Sequence, residues 1–253
     1  MQLNYKTYGT GDPIIILHGL FGMLDNWQTI AKSLAESHMV YLIDQRNHGK
    51  SPHVDSHSYP EMAADLHAFM ESNWIYEATI IGHSMGGKTA MQFAMEYPDF
   101  AERLIIVDIA PGQANRGHDD VFEALFALDL DQVDSRKEAE AVLADKMADL
   151  GVRQFLLKNL SRKKEGGYRW KMNLPVLHQQ YENILKPIQL FDIYEKPTLF
   201  IKGGRSKYIT EASERDIKAL FPQYVIKNVE NAGHWVHAEA PRETIEIIKS
   251  FIK

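Results

Sequence analysis

Gly82-His83-Ser84-Met85-Gly86 is the stretch on which the reading of this chain turns. It fits G-x-S-x-G, and its flanks fit as well. Ala78-Thr79-Ile80-Ile81 ahead of it is apolar and β-prone, and Gly86 to Tyr97 behind it carries a helical pattern that Pro98 stops. Strand, tight turn and helix in that order give the pentapeptide a mechanism. The turn holds the serine in a strained conformation and lifts its hydroxyl above the sheet edge. Crowded backbone at such a turn leaves room only for small residues two positions away, hence Gly82 and Gly86. The following helix aims its positive N-terminal end at negative charge growing near Ser84.

Working outward, other apolar runs read as strands buried on both faces of a parallel sheet: Pro13–Leu17, Met39–Ile43, Arg103–Val107, Lys196–Ile201 and Gln223–Lys227. Leu3–Tyr8 alternates like an edge strand. Helical patterns cover Asn26–Ala35, Tyr59–Asn73 and Pro241–Ile252. Strand and helix in alternation predict an α/β fold, a mostly parallel sheet with both faces covered. From Gly112 to about Glu195 the pattern changes: apolar residues recur at helical spacing with no strand-like run. Ser135-x-x-Glu138 reads there as a capping box, and a helix is expected around Val176 to Leu185. The chain therefore divides into a core, 1–110 with 196–253, and an all-helical insertion over 111–195.

The chain has 253 residues, enough for one large core with a lid. Its 45% hydrophobic and 25% charged composition is that of a soluble globular protein. A net charge of −6 argues against nucleic acid or anionic membrane as the main partner. The absence of cysteine excludes disulfides, thiolate catalysis and cysteine metal sites. The N-terminus lacks a signal-peptide layout, and no apolar run reaches the ~18 residues of a membrane helix, so a cytoplasmic protein is expected.

A serine needs a base, and the base needs an orienter. The base candidate is His234, between the last strand and the last helix, on the sheet edge that carries Ser84. Two backbone N–H donors are needed for an oxyanion. Met85 supplies one and the His18-Gly19-Leu20-Phe21-Gly22 loop the other, through Leu20. Aromatic and aliphatic side chains of the insertion are expected to form an apolar acyl pocket with Phe21 and Trp235.

Several segments together, His18–Gly22, Asp44–Gly49, Gly82–Lys88, Asp108–Pro111 and Gly233–Glu239, resemble the α/β-hydrolases across the whole chain, and within them the YbfF-type bacterial carboxylesterases and their mitochondrial relatives. The resemblance implies a serine carboxylesterase working on small to medium acyl esters, with acyl-CoA thioesters as further substrates. Most members of the superfamily carry an aspartate in the loop after the strand that follows the cap. Here that loop reads Gly203-Gly204-Arg205-Ser206-Lys207-Tyr208, and Ser206 stands in the acid's place. A serine cannot stabilise an imidazolium by charge. Asp108, at the end of the strand next to the elbow strand, is the natural replacement, and the resemblance points to it too. The expected triad is Ser84, Asp108 and His234, with Ser206 as a hydrogen-bonding helper.

Alternatives stay open beside this. Asp108 as a loop-capping carboxylate would leave Glu211 or another loop residue as the acid. The same triad serves C–C bond hydrolases, thioesterases and perhydrolases, and the fold also serves non-catalytic binding modules. Asp44, Arg46 and His48 read as residues that knit loops together, and His83 and Lys88 as supports beside the elbow. His53 and His57 have the i,i+4 spacing of metal ligands but lie in a Pro/Ser-flanked loop with no carboxylate cluster, so neither metal nor cofactor is expected. Arg162-Lys163-Lys164-Glu165 reads as a solvated turn. The partner is a small-molecule ester or thioester, with neither nucleic acid nor membrane, and the oligomeric state is left open.

Overall fold

The computed structural model describes residues 1–189 and 192–253. The strands are β1 (Tyr5–Tyr8), β2 (Pro13–Leu17), β3 (Met39–Ile43), β4 (Ala78–His83), β5 (Ala101–Val107), β6 (Leu160–Arg162), β7 (Tyr168–Trp170), β8 (Thr198–Gly203) and β9 (Tyr224–Val229). Seven form one sheet in the order β1-β3-β2-β4-β5-β8-β9. β1 runs antiparallel to β3, and the remaining neighbours are parallel.

The central strands are apolar along their whole length because both faces are covered. Ile15 and Leu17 point into a cluster with Leu66 and Phe69 of α2 (after α1, Gln28–Leu34, comes α2, Tyr59–Ser72) and with Met91 and Phe93 of α3 (Met85–Glu96). Ile14 and Ile16 point the other way, onto Ile30 and Leu34 of α1. This two-residue alternation puts every second side chain on each face. Clusters of fully buried Ile, Leu and Phe side chains are worth about 1.5–3 kcal/mol per residue, which fixes the sheet as the rigid base of the molecule.

Between β5 and β8 lie α4 (Asp119–Ala127), α5 (Arg136–Ala144), α6 (Leu150–Leu157), then β6 and β7, then α7 (Leu174–Gln179) and α8 (Tyr181–Leu185). The segment 111–195 is thus not all helical: β6 and β7 pair antiparallel as a hairpin, Leu160 opposite Trp170. Gly166 and Gly167, with φ of +101° and +70°, make its turn. The helix expected over Val176–Leu185 is two helices that meet at Gln180. At Ser135 only half of the capping box forms. Ser135 Oγ accepts the Glu138 N–H at 3.1 Å, but Glu138 Oε2 accepts the N–H of Asp134 rather than that of Ser135.

Two helices of the core went unread in the sequence: α9 (Glu211–Leu220) and the short α10 (Val236–Glu239) before the closing α11 (Pro241–Phe251). In α9 only Ile217 is buried, so the apolar period is too thin to see. Among the described residues no helix is long and apolar enough to cross a membrane.

Candidate active site

The site sits at the C-terminal ends of β4, β5 and β8. Ser84 follows β4 with φ +53° and ψ −119°, a conformation rare for a side-chain-bearing residue. Close packing enforces the turn. A Cβ on Gly82 would lie 2.2 Å from the Gly86 carbonyl oxygen, and one on Gly86 would lie 2.5 Å from the carbonyl oxygens of both Leu17 and His18. The neighbouring strand pins the turn from the side: the Ser84 N–H donates to the Val107 carbonyl at 3.0 Å. One residue further along that strand's exit, Asp108 is held with φ +54°, its N–H donating to Ile201 of β8 at 2.8 Å. Hydrogen bonds across β4, β5 and β8 thus place Ser84 and Asp108 side by side.

His234 comes from the loop after β9. Ser84 Oγ donates to His234 Nε2 at 3.0 Å, and His234 Nδ1–H donates to Asp108 Oδ2 at 2.7 Å. Asp108 is fully buried, so its charge needs donors. Ser206 Oγ donates to the same Oδ2, and the Gly203 N–H donates to Oδ1 at 3.0 Å. The four residues expected at the site, Ser84, Asp108, His234 and Ser206, are brought together. Asp108, not Glu211, stands at Nδ1, since Glu211 opens α9.

Supporting side chains fix the imidazole. His83 Nε2–H donates to the His234 carbonyl at 2.9 Å. Burial holds His83 well below the ordinary imidazole range, with neighbouring His237 and His234 acting in the same direction. It therefore remains a neutral donor and adds no charge beside His234. The Tyr208 ring stacks on His234 at 4.0 Å between centroids, tilted by 23°, and Tyr208 N–H donates to Ser206 Oγ at 3.2 Å. Sequence reasoning missed the part played by Tyr208. The one available signal was its place two residues past Ser206. It also missed His118, which enters from the insertion, lines the space at Ser84 and accepts or donates at Nδ1 to Tyr181 Oη at 2.8 Å. Burial lowers His118 to about 4.

Leu20 and Met85 both flank Ser84. Met85 is the first residue of α3, where helix geometry leaves the N–H without an intrahelical partner. Leu20 sits in a turn closed by the Gly22 N–H on the Gly19 carbonyl at 2.9 Å. His18 shapes that loop: its Nε2 accepts the Gln45 N–H at 3.0 Å, and its Nδ1 lies 2.8 Å from the Gly19 carbonyl. Asp44 accepts from the N–H groups of Leu24 and Lys50, and Arg46 pairs with Asp65 at 2.6 Å, so both tie loops together. Phe21 and Trp235 line a cavity of about 390 Å³ over Ser84. Phe21 also meets Phe122 of α4 edge-on at 5.1 Å. His57 is buried with Nε2 3.3 Å from Met85 Sδ, while His53 is exposed. Arg162, Lys163 and Lys164 lie at the hairpin tip and line none of the cavity at Ser84.

Strained elbow, imidazole and buried carboxylate on this sheet define a class, the α/β hydrolases. A family model for the alpha/beta hydrolase fold matches residues 12–241, and the chain belongs to that family. Within it, similar proteins include ones named as esterases and lipases. The chain is 39% identical to esterase YbfF of Escherichia coli K12 over 95% of this chain and 92% of that protein. It is 38% identical to the mouse sn-1-specific diacylglycerol lipase ABHD11 over 94% of this chain and 80% of that protein. A solved structure of a marine microorganism esterase superposes with a TM-score of 0.97 at 43% identity, with 99% of each chain covered. The protein is an esterase/lipase-type hydrolase, related to the YbfF group.

Proposed function

We propose that the protein is a serine carboxylesterase acting through an acyl-enzyme, with Ser84, His234 and Asp108 as its triad. The observation that carries this is the unbroken hydrogen-bonded line from Ser84 Oγ through both nitrogens of His234 to the buried Asp108. His234 Nε2 takes the Ser84 proton as Oγ attacks the ester carbonyl. Asp108 keeps the other proton on Nδ1 and stabilises the imidazolium that forms. The N–H groups of Leu20 and Met85 receive the tetrahedral oxyanion, each worth about 3–4 kcal/mol in comparable hydrolases. His234 then hands its proton to the departing alkoxide, and water repeats the cycle on the acyl-enzyme. Ser206 positions Asp108, and the segment 111–195 acts as a cap that roofs the site and supplies its apolar walls.

The test pairs turnover of p-nitrophenyl acetate with labelling by a fluorophosphonate. Ser84→Ala is expected to lose turnover by a factor on the order of 10⁵–10⁶ and to lose the label completely. A Ser84→Ala protein that still turns over substrate, or a wild type that takes no label, overturns the proposal.

A further inference from the structure

Two cavities meet at Ser84, and they differ greatly in size. The larger, about 390 Å³, has His234 and Trp235 in its wall, with Val121, Val152, Phe155 and Leu156 of the insertion around it. The smaller, about 20 Å³, lies on the Met85 side and is lined by Tyr59, Tyr181, Ile184 and Leu185, with Ile109, Ala114 and Asn115 on the side that faces a further space of about 470 Å³. Leu20, His118 and Tyr208 belong to both. A space of 20 Å³ takes about one water-sized group. Its far wall is held firmly. Tyr59 Oη–H donates to the Ile184 carbonyl at 2.5 Å. The fully buried Lys88 Nζ donates to the carbonyls of Leu185 and Lys186 at 3.3 and 2.6 Å.

The reacting carbon carries three branches besides the bond to Oγ, and the chemistry sends each to a different place. Its oxygen must face the backbone donors. The leaving oxygen must face His234 Nε2, which protonates it. The acyl chain takes the direction that is left. His234 borders only the larger cavity, and Met85 only the smaller. We infer that the larger cavity receives the alcohol and the smaller one the acyl group, so that the preferred substrates are acetyl esters of bulky apolar alcohols. The inference rests on the esterase reading above and gives it a substrate class. In the first step the bond from Oγ to the acetyl carbon forms as the bond from that carbon to the alcohol oxygen breaks. The Ser84 proton passes through His234 to the alkoxide. Water then supplies the hydroxyl that releases acetate.

Two ester series on the wild-type protein test this. In p-nitrophenyl esters, kcat/KM is expected to fall at least tenfold from acetate to hexanoate. In acetates, followed by proton release, it is expected to rise at least tenfold from ethyl to 2-phenylethyl. Leu185→Ala, which keeps the carbonyl that Lys88 binds, is expected to move the preferred acyl group to butanoate or longer and to preserve the ranking of the alcohols. Should that variant not fold, Ile184→Val widens the same wall. A wild-type profile that is flat or rises with acyl length overturns the assignment of the two cavities while leaving the esterase reading in place. Failure to cleave any ester, together with no fluorophosphonate on Ser84, removes the esterase reading itself and the inference with it.

Discussion

The sheet edge and the segment inserted above it are held together in different ways. At the edge the backbone does the holding. Ser84 and Asp108 are both forced to positive φ and are tied by main-chain hydrogen bonds to Val107 and Ile201. The insertion is held mainly by side chains, beside a main-chain bond from the Asn173 N–H to the Asn47 carbonyl at 2.8 Å. Phe122, Leu125, Leu156 and Leu177 meet Leu20, Phe21, Tyr59 and Met85 of the core in one shared apolar cluster. A second, smaller cluster around Leu143, Leu157 and Leu160 is the insertion's own. Backbone placement fixes reacting atoms to fractions of an ångström, as attack on a carbonyl requires. Side-chain packing tolerates changes of shape at similar volume. The molecule thus keeps its proposed chemistry on the first kind of support and its substrate walls on the second.

The sharpest way to break this comparison is at the edge. Asp108→Asn keeps shape and backbone bonds but removes the charge that orients His234. Turnover should fall by about 10⁴ with little change in folding. Near-normal kcat would detach Asp108 from the chemistry, and the support of the edge would then serve stability alone. Next in size is Phe122→Ala in the insertion, whose ring packs against Phe21 and Tyr181, both at 5.1 Å. A loss of about 3–5 kcal/mol is expected for a buried phenylalanine. Hydrogen exchange should show it as faster opening of α4 and α8 with β2, β4 and β5 still protected. Equal loss in both regions would mean that the two unfold as one unit.

The same difference governs how much could be read from the sequence. The parallel strands are continuous apolar runs, and the elbow joins its flanks in sequence, so Ser84 and the sheet were readable from local pattern. Asp108 and His234 followed from the ends of strands. Tyr208 on His234, and His118 at Ser84, are meetings of side chains from distant segments, which no local period records. The β6–β7 hairpin escaped because strands of three residues are too short to alternate visibly, although Gly166-Gly167 marked its turn. Ser206 was visible as a serine out of place, and its donation to Asp108 explains the substitution: it stabilises the charge that the loop no longer carries.

Acid should weaken core and insertion together, since burial also lowers His118 of the insertion, to about 4. Burial holds His57 and His237 of the core neutral, each lowered from 6.5 to about 3. Above pH 6.5 neither folded nor unfolded chain binds the proton at these sites, and stability is untouched. Between 6.5 and about 3 the unfolded chain binds it and the folded chain does not, so stability drops as pH falls. By pH 4 the loss is about 3 kcal/mol for each imidazole. Thermal unfolding followed from pH 7 to 4 should show the decline. His57→Gln should make the decline shallower while His237 and His118 keep the rest of it, and an unchanged slope in a folded variant would remove His57 from the account.

The smallest effect belongs to the hairpin tip. Lys163 Nζ lies 2.5 Å from Asp131, whose side chain is three-quarters exposed. Water competes for both charges there, so the pair is worth about 0–1 kcal/mol. Lys163 also borders neither cavity at Ser84. Lys163→Ala should therefore leave the melting temperature and ester turnover almost unchanged. A selective fall in kcat/KM for acyl-CoA thioesters would instead show that the basic tip reaches a phosphate-bearing leaving group. The alcohol side of the site would then extend beyond its apolar walls to the surface of the insertion.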